Sequence, residues 1–270
     1  MGVDQGQDVI AAGPRPARRL QRAALVAGPP FDGALWAHAA KRLGQHGWVA
    51  RVLELGPEGG APSGWAAGLR AALAPDELLV AHGAALRFAL RAAAAAEVEG
   101  APLPGLVLCN GAAGAVDPVS RALGAACARP GLGRLLCRPA LLQRYLWSSL
   151  GLRRAVVNPY VMERDRVVAV TSRWLGAGAS TSALAAALVE GGVVEAVPAL
   201  PRTPVLLLWG DEDPLFPPAV AEAARAALGQ ALHHRIAGGQ HLHIEERPWA
   251  AADLIHAWAG VEPASIVPRG

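Results

Sequence analysis

Glu77-Leu78-Leu79-Val80-Ala81-His82-Gly83-Ala84-Ala85 is the stretch that decides the fold. The uninterrupted apolar run 78–81 has the length and continuity of a strand buried on both faces. Beyond it, 84–98 contains neither glycine nor proline and is dominated by alanine and leucine, the composition of a helix. The local reading is strand, tight turn, helix. Gly83 stands at the turn, where a strained backbone costs glycine little.

The same alternation extends outward in both directions. Apolar runs of strand length fall at 22–27, 49–55, 77–81, 105–109, 204–209 and 233–236. Helical patterns follow at 34–45, 65–74, 84–98, 219–228 and 248–258. Strands alternating with helices pair in parallel through right-handed crossovers. The expected fold class is therefore α/β, a doubly wound, mostly parallel sheet. Such sheets bind ligands beyond the carboxyl ends of their strands. From about 115 to 200 the alternation stops, and helix-like runs carrying Trp147, Trp174 and several prolines take over. This segment is expected to be a helical cap over the carboxyl edge. The rest divides into an irregular lead-in over 1–21, one domain over 22–260, and an irregular tail over 261–270.

Composition narrows the function classes. The chain has 270 residues, 53% apolar and 17% charged, which fits a folded domain with a large core rather than a disordered segment. Net charge is +3, Lys41 is the sole lysine, and the arginines are scattered, so no nucleic-acid footprint is visible. Cys109, Cys127 and Cys137 show neither disulfide nor metal-ligand spacing, which points to a reducing, cytoplasmic setting. No apolar run reaches the ~18 residues of a membrane span. Neither a phosphate-binding glycine loop nor a metal constellation stands out, so no cofactor is expected.

Four segments resemble the α/β-hydrolase superfamily, in that family's order. Leu25-Val26-Ala27-Gly28-Pro29-Pro30, with Trp36 following, looks like the strand ending in His-Gly-x-Pro. Residues 79–85 look like the nucleophile elbow. Leu207-Leu208-Trp209-Gly210-Asp211-Glu212-Asp213-Pro214 is similar to the loop that carries the triad acid, and Gly238-Gly239-Gln240-His241-Leu242-His243-Ile244-Glu245 to the histidine loop. The resemblance runs from about 22 to 259 and implies an α/β-hydrolase-type sheet with a helical cap.

The departures from that pattern bear on function. Active members place a serine at the elbow; here Gly83 occupies the position and has nothing to attack with. His82 precedes it, as a histidine does in many relatives. The resemblance puts one oxyanion donor at Pro29, which has no N–H, and the other at Ala84. Asp213 matches the acid. Aligned without gaps, Gln240 replaces the base, and glutamine cannot take a proton near neutral pH. A shift of one residue makes His241 the base instead. His243 is structural under either alignment.

Two functions follow. One is a non-catalytic protein whose capped pocket binds a small hydrophobic molecule or a protein partner. Its binding residues would be Gly28, Pro29, Pro30 and Phe31 from the first loop, His82 and Ala84 from the elbow, and Cys109 and Asn110 beyond the next strand. Trp147, Tyr160 and Trp174 of the cap are further candidates. The other is an enzyme with altered chemistry, in which an Asp213–His241 pair abstracts a proton, as in some cofactor-independent members of the superfamily. Cys109 is a conceivable replacement nucleophile. A structural subunit assembling through its cap is a third class. The position of His241 relative to Asp213 discriminates between the first two.

Overall fold

Strands β1 (Arg22–Ala27), β2 (Val49–Val52), β3 (Glu77–Gly83), β4 (Leu106–Gly111), β5 (Val205–Gly210) and β6 (Ala231–Ile236) form one sheet in the order β2-β1-β3-β4-β5-β6. Every pairing is parallel. The computed structural model describes residues 14–56, 62–114, 116, 118–148, 151, 155–158, 164–176 and 180–261.

The apolar runs behave as parallel strands must. β3, β4 and β5 are buried along their whole length, and their side chains form the centre of the core. β2, at the edge, is only partly buried and ends at Val52 rather than at the expected 55, although the Leu53 N–H still donates to the Leu25 carbonyl at 2.9 Å. Helices α1 (Ala37–Gln45) and α11 (Pro248–Ala259) pack against each other, as do α2 (Trp65–Ala72) and α3 (Ala85–Val98). Trp36, Trp209, Trp258 and Phe88 are among the largest wholly buried side chains.

Between β4 and β5 lie α4 (Pro118–Cys127), α5 (Pro130–Leu136), α6 (Pro139–Leu146), α7 (Arg164–Leu175) and α8 (Thr181–Gly191). After β5 come α9 (Pro218–Leu228) and, past β6, the single turn α10 (His243–Glu246). Among the described residues, no helix is long and apolar enough to cross a membrane.

The chain leaves β1 for β2 on one side and returns to β3 on the other. The strand order therefore reverses between β1 and β3, and a crevice opens at their carboxyl ends. β1 and β3 pair in register up to Ala27 and His82. Gly28 and Gly83 consequently leave the sheet side by side, at the mouth of that crevice.

Candidate functional site

Three glycines bring the backbone together at this edge. The Gly28 N–H donates to the His82 carbonyl at 3.1 Å. A Cβ on Gly28 would fall under 3.0 Å from Ala84 and Ala85 backbone, and one on Gly111 under 3.0 Å from Gly83 backbone. Gly83 itself ends β3 with φ +64°, and α3 begins two residues later. It is the strand-to-helix turn expected from the sequence. The space its side chain would occupy is open. The nearest atom to a Cβ there is His241 Nε2, at 4.0 Å.

His241 is buried, and its Nδ1 lies 3.1 Å from Asp213 Oδ2. Every lone-pair direction of that carboxylate is used. Oδ1 accepts from the Leu215 and Phe216 N–H groups at 2.8 and 3.0 Å, and Oδ2 also accepts from Asn110 Nδ2 at 2.5 Å. Burial pushes the Asp213 carboxyl upward in pKa, but His241 and these hydrogen bonds outweigh it, and the net shift is down. An ionised Asp213 accepts a hydrogen bond from the Nδ1–H of His241, which leaves Nε2 facing Gly83.

Asn110 braces this pair. It is the next-to-last residue of β4, in a left-handed conformation, φ 34°, that asparagine tolerates better than most residues. Its Oδ1 accepts from the Gly210 N–H at 2.8 Å, and its Nδ2 also reaches the Gln240 carbonyl at 3.2 Å. One amide thus ties together the ends of β4 and β5 and the histidine loop.

The alignment that gives Gln240 the base position does not fit this geometry. Ile236 and Gly239 close a tight turn through the Gly239 N–H, with Gly238 at φ +61°. The Gly239–Gln240 backbone then packs directly onto Gly210, so no Cβ is accommodated there. Gln240 is held by its backbone at the sheet edge, and His241 is the side chain that reaches the crevice.

His82 supports His241 from below. Its Nε2–H donates to the His241 carbonyl at 3.0 Å, and its ring meets Phe31 and Trp36 edge-on at 6.3 and 6.5 Å. Burial first, then the neighbouring His241, holds its pKa well below the ordinary value, so the ring is neutral. His243 is wholly buried, and burial pushes it down to about 3. Below the ordinary histidine value the unfolded chain takes up this proton and the folded one does not, so stability falls as pH falls. From pH 7 to pH 5 the loss from His243 alone comes to about 2 kcal/mol. Urea unfolding at both pH values checks this. His243→Leu should shrink the difference by that amount, and an unchanged difference would refute the assignment.

The histidine loop is also tied to the helices above the sheet. Arg166 of α7 grips Glu245 with both prongs of its guanidinium and donates to the Ala34 carbonyl at 2.9 Å. The Leu242 N–H donates to Ala155 at 3.0 Å, and the Asn158 N–H to Glu246 at 2.9 Å. Asp32, in the first loop, accepts from Ser172 Oγ and the Arg173 N–H of the same α7.

Between these loops and helices α4, α6 and α8 lies a cavity of about 130 Å³. Gly28, Pro29, Pro30, Phe31 and Ala84 line it, together with Gly83 and His241. Of the other expected binding residues, His82 and Asn110 stand behind the wall as supports. Cys109 is a correction. It sits inside β4, paired with His82 and Leu208 on either side and wholly buried. Burial raises its pKa far above neutrality, so no thiolate is available and it is no replacement nucleophile. Trp174 packs on Trp65, ring centres 5.9 Å apart, and neither it nor Trp147 lines the cavity. Tyr160 lies outside the described residues. Ser120 and Tyr145 line the cavity and were not anticipated; isolated polar residues in the helices between β4 and β5 carry no signal that separates wall from surface.

The comparisons agree with the architecture. A family model described as alpha/beta hydrolase fold matches residues 125–248. No curated protein sequence is significantly similar. Among solved structures, an enol-lactonase from Burkholderia xenovorans LB400 aligns with TM-score 0.67 and 17% identity over 91% of this chain and 94% of its own. A thermophilic esterase from Thermogutta terrifontis aligns with TM-score 0.61 and 18% identity over 90% of each chain. A bromoperoxidase from Bacillus anthracis aligns with TM-score 0.67 and 14% identity over 88% of this chain and 91% of its own. At such identities the likeness is one of fold.

Proposed function

We propose that this chain, which has the α/β-hydrolase fold, is an enzyme that uses the Asp213–His241 pair as a general base in a capped pocket, with no covalent nucleophile. One observation carries this reading. His241 is hydrogen-bonded to a buried, fully braced carboxylate on one side, and its other nitrogen faces the open position at Gly83. A proton leaves the substrate, or a water beside it, for Nε2. The electron pair of the broken bond stays on the donor atom, and Asp213 balances the imidazolium charge until the proton is returned. General-base assistance of this kind contributes about 10²–10⁴-fold.

Gly83 and Pro29 favour a second reading, the non-catalytic pocket. Acyl transfer has lost both its attacking group and one oxyanion donor, and a site kept only for binding needs neither. The retained dyad is what such a pocket would not require, and for that reason the enzymatic reading stands first.

The test is a panel of small ketones and cyclic esters incubated in deuterated water, read by NMR for deuterium uptake and for ring opening. At least one member should react, and His241→Ala and Asp213→Asn should each lower the rate about 100-fold or more. A panel on which wild type never exceeds the His241→Ala background would leave the binding reading in its place.

A further inference from the structure

The cavity wall holds no formally charged side chain among the described residues. Apart from His241, its polar side chains are the hydroxyls of Ser120 and Tyr145. Among the described residues, the charged group behind the imidazole is Asp213, and both its oxygens are already engaged by four donors. An anion entering this space gives up its hydration, finds no counter-ion among the described residues, and faces a carboxylate. A cation gives up its hydration and finds no free carboxylate oxygen.

Size is the second constraint. A volume of about 130 Å³ is on the scale of an apolar cavity that takes up a single benzene-sized ring. Phe31, Leu142 and Ala187 are among the cavity's apolar lining, and Pro29 and Gly83 place no side-chain donor against such a ring.

We infer that the site takes an uncharged, one-ring substrate of roughly six to eight heavy atoms, with its reacting carbonyl portion set toward His241 Nε2 and the rest of the ring against Phe31, Leu142 and Ala187. This specifies the substrate class of the general-base site and rests on that reading only for which end of the ring faces His241.

Binding is measured without turnover, by titration calorimetry and ligand-observed NMR. The probes are cyclohexanone, cyclohexanecarboxylate, cyclohexylammonium and 2-decalone. Cyclohexanone should bind about 30-fold or more tighter than either ion, because the ions leave water without compensation, and tighter than the bicycle. Ala187→Phe, which fills the cavity, should weaken cyclohexanone binding about tenfold or more; Ala112→Leu serves if the first variant does not fold. Equal or tighter binding of an ion or of 2-decalone overturns the inference. So does cyclohexanone binding that is absent or insensitive to both fillings. A protein that binds the ring selectively yet shows no His241-dependent reaction overturns the general-base reading and leaves this inference standing.

Discussion

Gly83→Ser is expected to turn an inert position into one that fluorophosphonate probes label stoichiometrically, while the wild-type protein stays unlabelled there. The added Cβ meets no atom closer than His241 Nε2 at 4.0 Å. A hydroxyl on it can then swing to roughly 2.6–3.2 Å from that nitrogen, the distance at which a base activates a nucleophile. Asp213 already holds the other side of the imidazole. Serine at φ +64° carries strain of about 1–3 kcal/mol, which a domain of this size absorbs. Labelling should disappear in Gly83→Ser combined with His241→Ala. Turnover of activated esters should stay about 10²–10³-fold below that of an intact oxyanion hole, because Pro29 still offers no N–H. Gly83→Ser protein that folds but does not label, or labels equally without His241, would show that the dyad is not poised as described.

The second large effect is structural. Gly28→Ala and Gly111→Ala each drive a methyl group to under 3.0 Å from backbone at the elbow. Backbone cannot rotate aside as a side chain can, so each should cost about 3 kcal/mol or more. The melting temperature should fall by roughly 6–12 °C. Gly68→Ala is the control. Gly68 is exposed in α2, a Cβ there meets nothing within 4 Å, and the change should stabilise by about 1 kcal/mol. Calorimetry on the three variants decides the matter. Equal melting temperatures would mean that the close approach of β1, β3 and β4 at their carboxyl ends is not as drawn.

Much of this was legible in the sequence, for physical reasons that also mark where legibility ended. β1 was expected at 22–27 and is found as Arg22–Ala27, because a strand buried on both faces must be continuously apolar and must stop where a polar or turn residue begins. β3 runs two residues past its apolar run, because His82 is buried in the core as a neutral ring and Gly83 still pairs with Gly111 across a register shift. Hydrophobicity cannot reveal a buried histidine. The histidine loop was ambiguous by one residue for a related reason. Loops have no periodicity to fix register, and Gln240 and His241 differ only in which side chain the turn at Gly238 and Gly239 delivers to the crevice. The bracing role of Asn110 was invisible. Its partners Asp213, Gly210 and Gln240 are at least 100 residues away along the chain.

The links from α7 to the histidine loop make an interlock. Glu245, which Arg166 grips, lies four residues beyond His241, and Leu242, held by Ala155, lies next to it. α7 contributes no described residue to the cavity wall, yet a change in it reaches the loop that holds His241. The imidazole is thus aimed from two directions, by the sheet edge beneath it and by a helix that never touches the guest.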